Sequence, residues 1–195
     1  MTAQAATNPQ AQEKPQKQIS TLRKVIGIVI CLLLFGFLIA FNAGKFQAFR
    51  VQEISMEPTI LDGDYILVDA RGPIRPDVGD VVAVKNPTED LEWLCKRIVG
   101  VPGDKVEMHA NGYLYINGNR KFKVQKGIDD AEAWGTLREW ELGSFEYFVV
   151  GDNREWSYDS TEFGPVDDAD LLGVVMCIYW PLKRARIIKN SEEDE

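Results

Sequence analysis

The stretch LCKRIVGV (94–101) is short and rich in β-branched side chains, and it runs into Pro102-Gly103-Asp104. That is the signature of a strand closed by a turn. DYILVD (64–69), VVAV (81–84) and EYFVVG (146–151) repeat the signature on either side of it. KVEMHANGYLYING (105–118) reads as a hairpin with Asn111-Gly112 as its turn. Leu171–Trp180 is a ten-residue apolar run, too short to span a bilayer and stopped by Pro181, which predicts a buried strand. No long segment after residue 45 has helical periodicity, and there is no internal repeat. The body of the chain is therefore expected to be mainly β.

Ahead of this body lies a different kind of sequence. VIGIVICLLLFGFLIAFNAG (25–44) carries no charge. Twenty residues at about 1.5 Å each span about 30 Å, the thickness of a bilayer core, so a transmembrane helix is expected at 25–44. A cleavable signal peptide would need small residues at -1 and -3. Cleavage after Ala43 puts Phe41 at -3, and cleavage after Ala40 puts Leu38 there, so the segment reads as an uncleaved anchor. Lys14, Lys17, Arg23 and Lys24 precede it, against Lys45 and Arg50 after it, which favours a cytoplasmic N-terminus. Residues 1–24 read as a flexible tail, being rich in Ala, Gln and Pro at their start. Residues 45–190 form the β-rich body, and 191–195 an acidic tail. Phe46 and Phe49 suit interfacial anchoring just outside the span.

Composition removes several functions. The net charge of -8 over 195 residues speaks against broad nucleic-acid binding, which needs a basic surface. A single histidine, His109, excludes multi-histidine metal sites and makes a Ser-His pair depend on that one residue. His109 lies beside the hairpin turn and is expected at the surface. Cys31, Cys95 and Cys177 form no close pair, so neither a zinc ribbon nor a CxxC redox motif is present. A Cys95–Cys177 disulfide is open as far as the sequence goes.

Three segments carry possible chemistry. Ser55-Met56-Glu57-Pro58-Thr59 holds a serine just before a proline turn; most such segments are ordinary turns. With no histidine nearby in sequence, the known alternative activator is a lysine. Lys96 has Leu94 and Ile98 on its own strand face, so its ammonium is expected to be desolvated. Burial disfavours the charged form of a lysine, and a neutral lysine can take a proton from serine. The competing reading is a lysine that snorkels out of a half-buried strand. Gly151-Asp-Asn-Arg-Glu-Trp-Ser-Tyr-Asp-Ser160 is either a polar turn or a support that orients a buried lysine through Ser157 or Ser160.

Together these segments resemble the bacterial type I signal peptidases, membrane-bound Ser-Lys proteases. The resemblance is carried in order by Ser55–Ile60, Gly63–Val68, Lys96–Asp104 and Gly151–Ser160, and it extends over about residues 21 to 188. It implies an antiparallel β catalytic domain with an inserted β subdomain at 105–145. It implies Ser55 as nucleophile and Lys96 as general base, with Ser157 hydrogen-bonded to the lysine. Asp159 is a structural acid in that pattern, Arg97 pairs with Asp152, and Met56 packs near the substrate pocket. Substrates would be signal peptides of exported preproteins with small residues at -1 and -3, bound as an added strand. The implied setting is the bacterial inner membrane, with the catalytic domain on the outer face, the lipid bilayer as a partner and the export machinery close by. No metal or organic cofactor is implied.

The departures are specific. Glu53 stands where the pattern often has an oxyanion-hole donor, and an ionised carboxylate cannot donate. Thr161 replaces an arginine that often partners Asp159, leaving Arg154 or backbone amides to substitute. Cys95 replaces an aliphatic residue. A narrow-specificity Ser-Lys processing peptidase of the pilin or conjugation type is one alternative reading. A non-catalytic homologue that binds signal peptides is another.

Overall fold

The computed structural model describes residues 14–42, 45–72, 75–88, 93–124 and 136–188. The first 13 residues of the expected tail, the acidic end 191–195 and part of the expected insertion lie outside these. The chain divides into two units, one up to Ala43 and one from Gly44 onward.

The first unit is the helix α1 (Lys14–Asn42). Within it, Leu22–Ile39 has a mean hydropathy of 2.5 and no buried residue, so it is long and apolar enough to cross a membrane. The helix starts inside the stretch expected to be a flexible tail. Pro15 is tolerated in a first turn, the glutamines and lysines that follow are good helix formers, and extending an existing helix is cheap compared with nucleating one.

The second unit is built from antiparallel strands. In chain order they are β1 (Phe46–Arg50), β2 (Tyr65–Asp69), β3 (Val81–Lys85), β4 (Trp93–Gly100), β5 (Lys105–His109), β6 (Tyr113–Ile116), β7 (Asn119–Lys123), β8 (Thr136–Glu141), β9 (Glu146–Val150), β10 (Val166–Asp167), β11 (Leu171–Trp180) and β12 (Arg186–Ile187). An eight-stranded sheet runs β1-β2-β11-β3-β4-β9-β10, with β12 on β11, and a four-stranded sheet runs β7-β6-β5-β8. The fold is mainly β, as the sequence predicts.

β3 and β4 lie inside the large sheet with apolar packing on both faces, which is why VVAV shows no polar alternation. Val81 and Ala83 join Met56, Ile60, Ile66, Val68, Val175 and Ile178 in one cluster. Val82 and Val84 join Leu94, Ile98, Val149 and Leu171 in a second. A third cluster joins Val99, Phe148 and Val150 of the large sheet to Val106, Met108, Leu114 and Ile116 of the small one. Trp140 packs there on Phe148, with ring centroids 4.9 Å apart.

Several local expectations change. The hairpin turn centres on Ala110-Asn111, closed by the Gly112 N–H donating to the His109 carbonyl. Gly112 itself sits at φ +79° as the following bulge residue. His109 is half-buried and stacks on Tyr115 at 4.0 Å rather than lying at the surface. Phe49 packs against the first core cluster, and Phe46 lies under the Arg71 guanidinium, so both aromatics serve the body. In β11 burial alternates, and Tyr179 and Trp180 are exposed, because two register shifts against β2 turn its end outward. Cys95 and Cys177 are free thiols.

Gly173 lies on β11 opposite Ala83, where the chain passes close to β2. A Cβ there would stand 2.7 Å from Val68 Cγ1 and 2.8 Å from the Asp69 carbonyl carbon, and closer still to the Asp69 oxygen. Gly173→Ala is therefore expected to destabilise the protein by at least about 2 kcal/mol. A denaturant titration of the detergent-solubilised chain beside the wild type reads this directly.

Candidate active site

Ser55 stands in a turn after β1. The Glu57 N–H donates to the Ile54 carbonyl at 3.1 Å, and the Ile60 N–H to the Met56 carbonyl at 2.9 Å. The Glu57–Pro58 peptide bond is cis. Met56 and Ile60 are buried in the first cluster and pin the turn to the sheet. At its far end the buried Asp64 carboxylate accepts from the Leu61 N–H at 2.9 Å and from Arg184 Nε at 2.7 Å. Asp64 and Arg184 are supports that sequence reading missed, since a pair 120 residues apart leaves no local signal.

Lys96 comes from the centre of the sheet, opposite Val82 on β3. It is 1% exposed. Its Nζ reaches Ser55 Oγ at 2.8 Å, joining residues 41 apart in sequence. Glu53 completes the group: its Oε2 accepts from Ser55 Oγ at 3.0 Å and lies 3.4 Å from Lys96 Nζ. The sequence marks Glu53 only as a missing donor. In an extended segment residues two apart share a face, and that spacing is the signal that aims it at the serine.

The segment after β9 holds this turn in place. The Asn153 N–H donates to the Ser55 carbonyl at 2.9 Å, and Asn153 Nδ2 to the Ile54 carbonyl at 3.1 Å. Asp159 Oδ2 accepts from the Gly151 N–H at 3.0 Å, while Oδ1 accepts from the Thr161 N–H and hydroxyl. The partners of Asp159 are thus backbone amides and the threonine that stands in place of the arginine.

Arg97 grips Asp152 with two parallel bonds, Nε to Oδ1 at 2.8 Å and Nη2 to Oδ2 at 2.6 Å, and donates to the Gly79 carbonyl from Nη1. Burial pushes the Asp152 carboxyl upward. The hydrogen bonds from Arg97 and Thr59 and the guanidinium charge outweigh that and hold it below the usual carboxylate range.

Ser157 is placed differently from the expectation. Its buried hydroxyl has no hydrogen-bond partner among the described residues, and Lys96 is bonded to Ser55 and Glu53 instead. Ser157 instead packs against Gly151, where a glycine leaves room for it.

Two cavities flank the serine. One, of about 230 Å³, is lined by Phe49, Gln52, Glu53, Ser55, Met56, Ala83, Trp93 and Cys95. The other is more open and is lined by Glu53, Ile54, Ser55, Asn86, Lys96, Trp156 and Tyr158. Met56, Ala83 and Cys95 give the first an apolar wall. Burial pushes the Cys95 thiol up to about 12, with Lys96 pulling it down and Glu53 adding to the rise, so this wall of the cavity is uncharged at neutral pH.

The signal peptidase family model, peptidase S26, matches residues 21–180. Signal peptidase IB of Staphylococcus aureus (strain MRSA252) is 31% identical over 180 residues, covering 80% of this chain and 91% of that protein. The probable signal peptidase I-2 of Synechocystis is 32% identical over 157 residues, covering 76% and 70%. A crystal structure of a signal peptidase I from Enterococcus faecalis V583 aligns at 28% identity and a TM-score of 0.39, covering 53% of this chain and 98% of that one.

A Cβ at Gly151 would stand 2.5 Å from the Ser55 carbonyl oxygen and closer to Ser157 Oγ. Gly151→Ala is expected to shift the Ser55 turn and lower kcat/KM by about 100-fold, since misplacement by about 1 Å costs that much. Steady-state cleavage kinetics measure it. Asp152→Asn leaves Arg97 without its buried counter-charge and is expected to cost about 3 kcal/mol in a denaturant titration. Because the folded carboxyl lies below its unfolded value, the wild-type contribution is fully present above about pH 4 and is lost as the pH falls further. Asp152→Asn should flatten that acid loss.

Proposed function

The chain belongs to the signal peptidase family, peptidase S26, and we propose that it removes signal peptides from preproteins with Ser55 as nucleophile and Lys96 as general base. The observation that carries this reading is the 2.8 Å separation of Lys96 Nζ and Ser55 Oγ. That distance permits direct proton transfer.

In the proposed reaction neutral Lys96 takes the Ser55 proton as Oγ attacks the carbonyl carbon of the -1 residue. The tetrahedral intermediate then collapses. Its C–N bond breaks, and the new amine leaves with the proton held by Lys96. Water, deprotonated by the same lysine, attacks the acyl carbon; the C–Oγ ester bond breaks, the signal peptide leaves with a new carboxylate, and Lys96 returns the proton to Ser55 Oγ. The preprotein lies extended along the segment before Ser55, with small residues at -1 and -3. The apolar wall that Met56, Ala83 and Cys95 give the first cavity supports that choice.

The enzyme is anchored in a membrane by α1. We place it in the bacterial inner membrane as a single-pass protein, with its N-terminus in the cytoplasm and its catalytic domain on the outer face. The four cationic residues before the span support that orientation. Its partners there are the lipid bilayer, the preprotein and the export machinery. Residues 45–190 are the peptidase domain, with 105–145 as its insertion, a reading supported by the separate four-stranded sheet of β5–β8.

Cleavage of a model preprotein by the detergent-solubilised chain, with the cut read by mass spectrometry, tests the reading. The wild type should cut after a small-x-small sequence, and its activity should fall as the pH is lowered and the base is protonated. Ser55→Ala and Lys96→Ala should each lower kcat by about 1,000-fold or more while remaining folded. Equal activity in Lys96→Ala and wild type would reject lysine as the base.

A further inference from the structure

Glu53 is the side chain of this site that the reaction above does not use. Its side chain is 34% exposed, whereas that of the lysine it faces is 1% exposed. The direction of each bond matters. Lys96 donates to Ser55 Oγ, and Ser55 spends its only proton on Glu53 Oε2. In that arrangement the hydroxyl proton points away from the lysine. The serine is therefore oriented against the proton transfer that attack requires.

The surroundings leave Glu53 as the charge that sets this state. Of the other ionisable groups lining the two cavities, Cys95 is held neutral by burial, Tyr158 is a phenol, and Arg50 is a cation at the mouth. Asp152 is committed to Arg97, and Asp159 to Gly151 and Thr161. Among the described residues the Glu53 carboxylate has no bond beyond those to Ser55 and Lys96, so nothing else holds it there. It also lines both cavities, so a peptide entering either one meets it.

We propose that Glu53 is a positioning residue that latches the empty Ser55–Lys96 pair in a resting arrangement, and that an extended peptide occupying the cleft displaces it. The proposal rests on the dyad reading above. Once the carboxylate swings to solvent, the serine proton turns to Lys96 and the negative charge that favours the ammonium is gone. A ligand too small to fill the cleft leaves the latch closed.

The test compares two probes of Ser55 in the full-length solubilised chain: a small serine-directed phosphonylating reagent, and a peptide with small residues at -1 and -3. Wild type, Glu53→Gln, Glu53→Ala and Lys96→Ala are measured with each across pH. If the latched state holds about nine-tenths of the empty enzyme, Glu53→Ala should react with the reagent about tenfold faster than wild type. Its peptide kcat/KM should rise by a smaller factor, because the peptide opens the latch itself. The reagent rate of Glu53→Ala should also hold to lower pH than that of wild type, and Glu53→Gln, which keeps an acceptor but no charge, should share that displacement. A reagent rate no faster than wild type with an unmoved pH profile, or a fall with both probes, overturns the latch. Retained cleavage in Lys96→Ala overturns the dyad reading itself, whatever the Glu53 variants do.

Discussion

A lysine in the middle of a β-sheet, 1% exposed and meeting two oxygen partners 2.8 and 3.4 Å away, is the constraint around which the rest of this site is arranged. A buried amine is tolerated only where other groups replace its water. Ser55 and Glu53 supply that replacement from one short segment, so the turn at 54–60 must stay in register with β4. The burial of Met56 and Ile60 and the anchoring of Asp64 by Arg184 are the means by which it does.

The loop after β9 serves the same end from the other side. Gly151 lets two chain segments approach more closely than a side chain would allow, and Asn153 spends its backbone and side-chain donors on the Ser55 turn. Asp152 and Asp159 act behind it, one clamped to Arg97 and the other to Gly151 and Thr161. Ser55 thus rides on a rigid scaffold although it sits in a turn. That rigidity supports orientation-dependent chemistry more directly than any property of the serine alone.

In the proposed latch Glu53 gives the site a second level of control. Its carboxylate holds the empty Ser55–Lys96 pair and turns the serine proton away from the lysine. A group that does both is useful only if it can leave. Its partial exposure and its lack of other partners among the described residues fit that requirement. Apart from the Arg50 cation, its neighbours in that cavity are apolar or uncharged, so the balance depends on this one carboxylate more than on a diffuse field.

Much of this was legible in the one-dimensional pattern, for physical reasons that act over short range. β-branched runs closed by Gly, Pro and Asp mark strands because backbone sterics and turn dihedrals are local properties, and an uncharged stretch as long as a bilayer is thick marks the anchor. Alternation along LCKRIVGV put Lys96 on an apolar face without any knowledge of its neighbours. By itself, then, the sequence determined a membrane helix, a β body and a short set of reactive residues. The tertiary structure alone decided which of those residues meet. It turned Glu53 toward the dyad, bonded Lys96 to Ser55 rather than to Ser157, gave Asp159 its amide partners and paired Asp64 with Arg184. These contacts link segments far apart along the chain, where strand register and close packing, rather than local preference, set the distances.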